Sequence, residues 1–349
     1  MKNRSENSAG RGQILPVLQV NSHSIDQKNG EIWTGQADLQ PISFKSDRLL
    51  DNSIFLKVIS QTLPMLVYLL RVLAYLPLRL LHFLGAAAGW ATYLTSRRYA
   101  ARMRENFAAS GVCAPAEQGR LLHHAVAEGG KSIVELVAIW LRPEQQVLKL
   151  MKGCHGWEHV EAAHRRGKGL IFLTPHMGCF EITSLYYAAR HPITVLYRPP
   201  RLRWLQPLME AGRRRGQVSL APTDVGGVRA LFRALRRGEA IGILPDQVPS
   251  QGEGVWVDFL GRPAYTMTLA PRLARSTDAA IVFAFAERLP HGAGYELWLE
   301  PLAEELPEDL TAAAEVINRA VESLIRKKPE QYLWSYNRYK VPKGVMGNE

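Results

Sequence analysis

Cysteine is scarce in this chain: 349 residues hold three, at positions 113, 154 and 179, and no two form a C-x-x-C pair. That scarcity excludes a disulfide framework and favours a reducing compartment. Cys154, His155 and His159 lie close together but lack a fourth ligand at any familiar zinc spacing, so no metal is expected. No secretory signal is expected either, because the first fifty or so residues carry no apolar core of the signal-peptide kind. Internal repeats are missing, and so are aromatic-basic RNA motifs and recognition-helix patterns, which argues against nucleic acid as a partner. Long hydrophobic runs are also short of what a bilayer needs. Within the apolar stretch Ile54–Leu94, broken by Lys57, Arg71 and Arg79, the longest charge-free run is Leu80–Ser96, 17 residues. A span needs about 20 apolar residues.

What is present is positive charge. Forty-three Lys and Arg against 32 Asp and Glu leave a formal net charge of +11, which favours acidic partners such as phosphate-bearing lipids, anionic membranes or acidic carrier proteins. Arg71 and Arg79 sit eight positions apart, about 80° around a helix, as on the polar stripe of an interfacial helix. Arg97, Arg98, Arg102 and Arg104 follow and would pair with anionic headgroups on the cytoplasmic side. Both spanning and interfacial modes remain open for this segment.

A composition with 47% hydrophobic and 21% charged residues is that of a globular protein with a sizeable core. After a helical stretch from about 115 to 150, short apolar runs alternate with helical periodicity. The pattern predicts strands at 169–174, 192–197, 217–221, 240–244, 279–286 and 295–301, with helices over 225–237 and 310–326, hence an α/β fold.

One motif carries chemistry. The apolar run Gly169–Leu173 leads into Thr174-Pro175-His176-Met177-Gly178-Cys179-Phe180-Glu181, which places His176 at the carboxyl end of a buried strand, where open α/β sheets hold their sites. A helix is expected to start near Gly178. Five residues of ideal helix turn about 140°, so His176 and Glu181 meet only if the histidine lies on the loop and the glutamate in the first helical turn. In that arrangement the carboxylate holds the imidazole's tautomer while the ring takes a proton from a hydroxyl. Asp246 and Gln247 end a second apolar strand, Ala240–Leu244, and so are expected on the same sheet edge. Cys179 reads as a small buried thiol, and Arg213-Arg214-Arg215 as a solvated turn.

Several blocks in order resemble the lipid A late acyltransferases, lauroyl or myristoyl transferases of the lysophospholipid acyltransferase superfamily: Leu76-Pro77-Leu78-Arg79, Arg104-Glu105-Asn106-Phe107, His176 to Glu181, Tyr197-Arg198-Pro199, Leu244-Pro245-Asp246-Gln247, Phe259 to Ala264, and Leu333-Trp334. The resemblance spans roughly 64–342. It implies a mixed central sheet flanked by helices, as in glycerolipid acyltransferases, behind an N-terminal hydrophobic membrane helix. The implied divisions are a disordered extension over 1–52, a membrane-associated helical segment over 53–96 and a catalytic domain over 97–342. It also implies acyl transfer from acyl carrier protein to a hydroxyl of a phosphorylated glycolipid, a lipid A precursor, at the cytoplasmic face of the inner membrane, without a cofactor.

On that resemblance His176 is the general base, Glu181 its orienter, and Gly178, Arg198, Asp246 and Gln247 bind substrate. Backbone N–H groups around Gly178 would stabilise the oxyanion, and Arg198 would grip an acceptor phosphate. Cys179-Phe180 stands where the lipid A branch has Asn-Trp, and Tyr336 where its terminal block has histidine. The Pro-Glu-Gly-Thr-Arg-Ser block of glycerophosphate-type enzymes is absent. Alternatives left open are acyl-CoA-dependent acylation of another glycolipid, of the phosphatidylinositol mannoside type, and hydrolysis of the thioester by activated water.

Overall fold

The computed structural model of the protein describes residues 65–200 and 202–347. The expected extension over 1–52 and the first part of the apolar segment lie outside the described residues. The chain opens with α1 (65–74), α2 (Leu78–Thr95), α3 (Arg97–Ala109) and α4 (Pro115–Leu141). Then α5 (Glu144–Leu148), β1 (Met151–His155), α6 (Trp157–Arg166), β2 (Leu170–Leu173), α7 (Phe180–Ala188) and β3 (Ile193–Tyr197) follow. The second half runs through α8 (Gln206–Arg213), β4 (Val218–Pro222), α9 (Val225–Arg236), β5 (Ala240–Ile243), β6 (Gly254–Phe259), β7 (Arg262–Met267), α10 (Leu269–Thr277), β8 (Ala280–Arg288), β9 (Tyr295–Pro301) and α11 (Leu310–Lys327).

Seven strands form one mixed sheet in the order β1-β9-β8-β2-β5-β3-β4; β8 and β9 pair antiparallel and every other neighbour is parallel. All four residues of β2 and of β5 are buried, which is why both read as short unbroken apolar runs in the sequence. The side chains of β2 alternate between two cores. Ile171 and Leu173 pack with Leu231, Phe283, Ile317 and Val321 on one face, whereas Leu170 and Phe172 pack with Ile139, Ile182 and Leu185 on the other. Helices therefore cover both faces of the sheet.

Each of the six predicted strands is present, and the two predicted helices are α9 and α11. Further strands were not expected. β1 is a half-exposed edge strand with a polar sequence, and β6 and β7 form a separate antiparallel hairpin. The stretch read as one helix to about residue 150 is divided at Pro143 into α4 and α5, as a proline that cannot continue a helix requires.

The predicted N-terminal membrane helix is not found among the described residues: none of their helices is long and apolar enough to cross a membrane. Pro77 separates α1 from α2, and α2 turns one face inward through Leu78, Leu81, His82, Gly85 and Gly89. There it meets α4 so closely that a Cβ on Gly130 would stand 2.0 Å from the Gly85 carbonyl oxygen. The outward faces remain apolar, with Tyr68, Leu69, Val72, Tyr75, Phe83 and Leu84 exposed.

Candidate active site

β2 and β5 are adjacent and parallel, in register from Leu170 opposite Ala240 to Leu173 opposite Ile243. The loops leaving their carboxyl ends deliver His176 and Asp246 to the same place. The Asp246 carboxylate accepts from the backbone N–H of His176 at 3.0 Å through Oδ2, and its Oδ1 lies 2.9 Å from the imidazole Nδ1. Burial by itself would raise the Asp246 carboxyl, but the imidazole's charge and these two hydrogen bonds outweigh it and hold the group below its usual range. A proton on Nδ1 is thus fixed toward Asp246, leaving the Nε2 lone pair for chemistry. Gln247 brings its Nε2 to 3.4 Å from that nitrogen.

Aromatic rings hold the imidazole on its sides. Tyr336 stacks on it with centroids 5.7 Å apart and planes 11° off parallel, and Phe180 lies at 5.0 Å. The Tyr336 hydroxyl accepts from the Val248 N–H at 3.0 Å, so the stack is anchored to the loop that carries Gln247. The segment 331–336 also closes over the histidine's own backbone: Leu333 donates its N–H to the His176 carbonyl at 2.9 Å.

The expected bond between His176 and Glu181 is not formed. Glu181 lies in the first turn of α7, as expected, but its carboxylate accepts from Trp140 Nε1 at 3.0 Å and from Arg213 Nε at 2.9 Å, with a second Arg213 contact through Nη2. Burial would raise this carboxyl too; Arg213 prevails and lowers it. The carboxylate that lies against the imidazole is Asp246 rather than Glu181, and Glu181 is the buried counter-ion of Arg213. Two of the three consecutive arginines are accordingly not solvated. Arg215 donates to the carbonyls of Gly212, Arg142 and Ile139, and only Arg214 is exposed.

Gly178 also departs from expectation. α7 begins at Phe180, and Gly178 sits before it at φ +56°, where a Cβ would stand 2.0 Å from the Ala286 carbonyl oxygen. Its N–H donates to the Gln331 carbonyl at 3.0 Å, and the Cys179 N–H donates to the Ala286 carbonyl at 2.9 Å. Neither is free to bind an oxyanion. The N–H groups of Phe180 and Glu181 in the first turn of α7 make no hydrogen bond among the described residues, as helix starts generally leave them.

Next to Gln247, whose amide reaches toward the imidazole, opens a cleft of about 350 Å³, within the range of small-molecule sites. Arg198 and Gln247 line it, together with Leu196, Val228, Met267 and Leu273. Of the predicted substrate-binding residues, these two face the cleft, whereas Asp246 lies beneath the imidazole and Gly178 shapes the loop. Arg198 is exposed, with no hydrogen bond or ion pair among the described residues. Tyr336 was legible only as a departure from a pattern; nothing in the sequence placed its ring against His176. Arg213 was hidden in a run of like charges.

A histidine backed by a carboxylate at Nδ1, beside a glutamine on the wall of a largely apolar cleft, is an arrangement able to take a proton from a hydroxyl. Residues 55–341 match the family described as bacterial lipid A biosynthesis acyltransferase, and the chain belongs to that family. It is similar to the lipid A biosynthesis lauroyltransferase of Escherichia coli strain K12, with 29% identity over 222 residues, 62% of this chain and 71% of the relative. It is also similar to the palmitoleoyltransferase of the same strain, 26% identical over 76% of this chain and 86% of the relative. A lipid A biosynthesis acyltransferase of Haemophilus influenzae is 28% identical over 77% and 87%.

Proposed function

We propose that this acyltransferase moves a fatty acyl chain from an acyl carrier protein thioester to a hydroxyl of a phosphorylated lipid A precursor, with His176 as general base and Asp246 as its orienter. The observation that carries this reading is the 2.9 Å contact between Nδ1 and Asp246, which leaves Nε2 on the side of Gln247, a residue of the cleft wall.

The acceptor hydroxyl gives its proton to Nε2 as its oxygen bonds to the thioester carbonyl carbon. Asp246 stabilises the imidazolium that forms. The carbonyl oxygen becomes an oxyanion, for which the Phe180 and Glu181 N–H groups and the Gln247 amide are the candidate donors, aided by the positive end of α7. Collapse of the tetrahedral adduct breaks the carbon–sulfur bond, and the thiolate takes the proton back from the imidazolium. No acyl-enzyme forms, because the acceptor is itself the nucleophile. The apolar walls of the cleft suit an alkyl chain, and Arg198 at its edge suits a phosphate.

The exposed apolar faces of α1 and α2 are read as resting in a membrane surface, with Arg97, Arg98 and Arg104 toward anionic headgroups at the cytoplasmic face of the inner membrane. Such a position brings the cleft to a lipid acceptor while a soluble acidic carrier reaches it from the aqueous side.

The test is a purified assay that offers several acyl carrier thioesters, and separately acyl-CoA, against a tetraacylated lipid A precursor. Acyl transfer from the carrier that disappears in His176→Ala is the expected result. Turnover with acyl-CoA alone would reassign the donor. Release of free fatty acid at the same rate with and without acceptor would make the chain a thioesterase.

A further inference from the structure

The geometry points to Arg288, at the end of β8, as a positioning residue that holds the peptide of Gly178 and thereby the placement of His176; this rests on the reading of His176 as the base. Arg288 is almost fully enclosed, with a side chain 1% exposed. Its Nε and Nη2 donate to the two oxygens of Glu135 at 2.9 and 2.5 Å, and its Nη1 donates to Glu128 at 2.5 Å. Nη2 also donates to the Gly178 carbonyl oxygen at 3.0 Å. Glu135 accepts further from Tyr295 at 2.9 Å and pairs with His82 at 3.1 Å.

The two carboxylates would suffice to balance one guanidinium, so the bond to Gly178 is the part of the arrangement that charge neutrality does not require. Its consequence is directional. A carbonyl held toward Arg288 turns the N–H of the next residue the opposite way, and the Cys179 N–H is indeed on the Ala286 carbonyl at 2.9 Å. With the Gly178 N–H on Gln331, both polar atoms of Gly178 and the following N–H are fixed. Gln331 is in turn locked to Arg288, accepting its backbone N–H at 2.8 Å and donating to its carbonyl at 2.9 Å. The clamped peptide lies two residues after His176 and two before Glu181. It therefore sets both the imidazole's distance from the substrate and the direction of the first N–H groups of α7.

Lysine keeps the charge of arginine but places its donors at one point, so it pairs with Glu135 without also reaching Gly178. Arg288→Lys is compared with Glu128→Gln, which disturbs the same buried cluster without touching Gly178. The expected result is that both variants lose thermal stability, but only Arg288→Lys loses kcat per folded molecule, by about 10- to 100-fold, with KM for donor and acceptor within about twofold. In 15N-histidine-labelled protein, the hydrogen-bonded Nδ1 proton of His176 should shift or broaden in Arg288→Lys alone.

Equal kcat per folded molecule in the two variants, with that proton signal unmoved, would overturn the assignment. Should the lysine variant not fold, the paired neutral variant Glu135→Gln/Arg288→Met removes the charges together, and the same comparison applies. His176→Ala runs alongside. If it retains turnover the reading of the base fails, whereas a dead His176→Ala beside a normal Arg288→Lys defeats this inference alone.

Discussion

His176 and Asp246 each stand three residues beyond the end of neighbouring parallel strands, and their side chains meet at 2.9 Å. Equal offsets on two strands in register make this pair a product of the sheet itself rather than of a flexible loop. The carboxylate also accepts the histidine's backbone N–H, so one side chain fixes both the position of the residue and the direction of its ring.

Asp246→Asn is therefore expected to lower kcat by about 10²- to 10⁴-fold with little change in KM, because an amide does not stabilise the imidazolium and can present the wrong hydrogen-bonding group to Nδ1. Steady-state kinetics with a circular dichroism check on folding decides it. Activity within twofold of the parent would mean that Asp246 does not serve the base.

Glu181 and Arg213 form a different kind of pair, with side chains 4% and 19% exposed. Removing either partner alone leaves a largely buried charge and is expected to cost about 3 kcal/mol in urea unfolding. The double variant Glu181→Gln/Arg213→Met should recover part of that loss. Additive losses in the double-mutant cycle would show that the two charges are not coupled.

Much of this site was legible before the fold was known, because β2 and β5 are buried on both faces and so announce themselves as apolar runs with chemistry at their ends. The partner of the imidazole was not. Five residues along the chain place Glu181 near His176, but the first turn of α7 aims its carboxylate toward Arg213 on α8, a residue 32 positions later. β1 escaped notice because Met-Lys-Gly-Cys-His at a sheet edge lacks alternation. The β6–β7 hairpin carries a readable signal in Val-Trp-Val-Asp-Phe followed by a turn at Leu260 and Gly261, both at positive φ.

Acid should unfold this protein through its buried carboxylates. Burial favours the neutral acid at Glu135, but Arg288 and His82 outweigh it and lower the group from 4.5 to about 2; Asp246 and Glu181 are lowered in the same sense. A carboxyl depressed in the folded state stabilises it above the unfolded value, and that stabilisation is lost as pH falls through the folded value. Tm is expected to decline from about pH 4.5 toward pH 2, and less steeply in Glu135→Gln. Parallel declines in the two proteins would remove Glu135 from the account.

The exposed apolar faces of α1 and α2 make a further prediction. Replacing Tyr68 and Phe83 with glutamate should reduce binding to anionic vesicles by about tenfold or more, since each aromatic is worth roughly 1.5–3 kcal/mol when buried. Activity on a detergent-dispersed acceptor should persist. Unchanged sedimentation with vesicles would place membrane contact elsewhere.

The roof that residues 331–336 lay over His176 has a consequence for heating. Leu333 holds the His176 carbonyl and Tyr336 stacks on its ring, so fraying of this one stretch would loosen the histidine together with its cover, and turnover would fail at temperatures where the central sheet still stands.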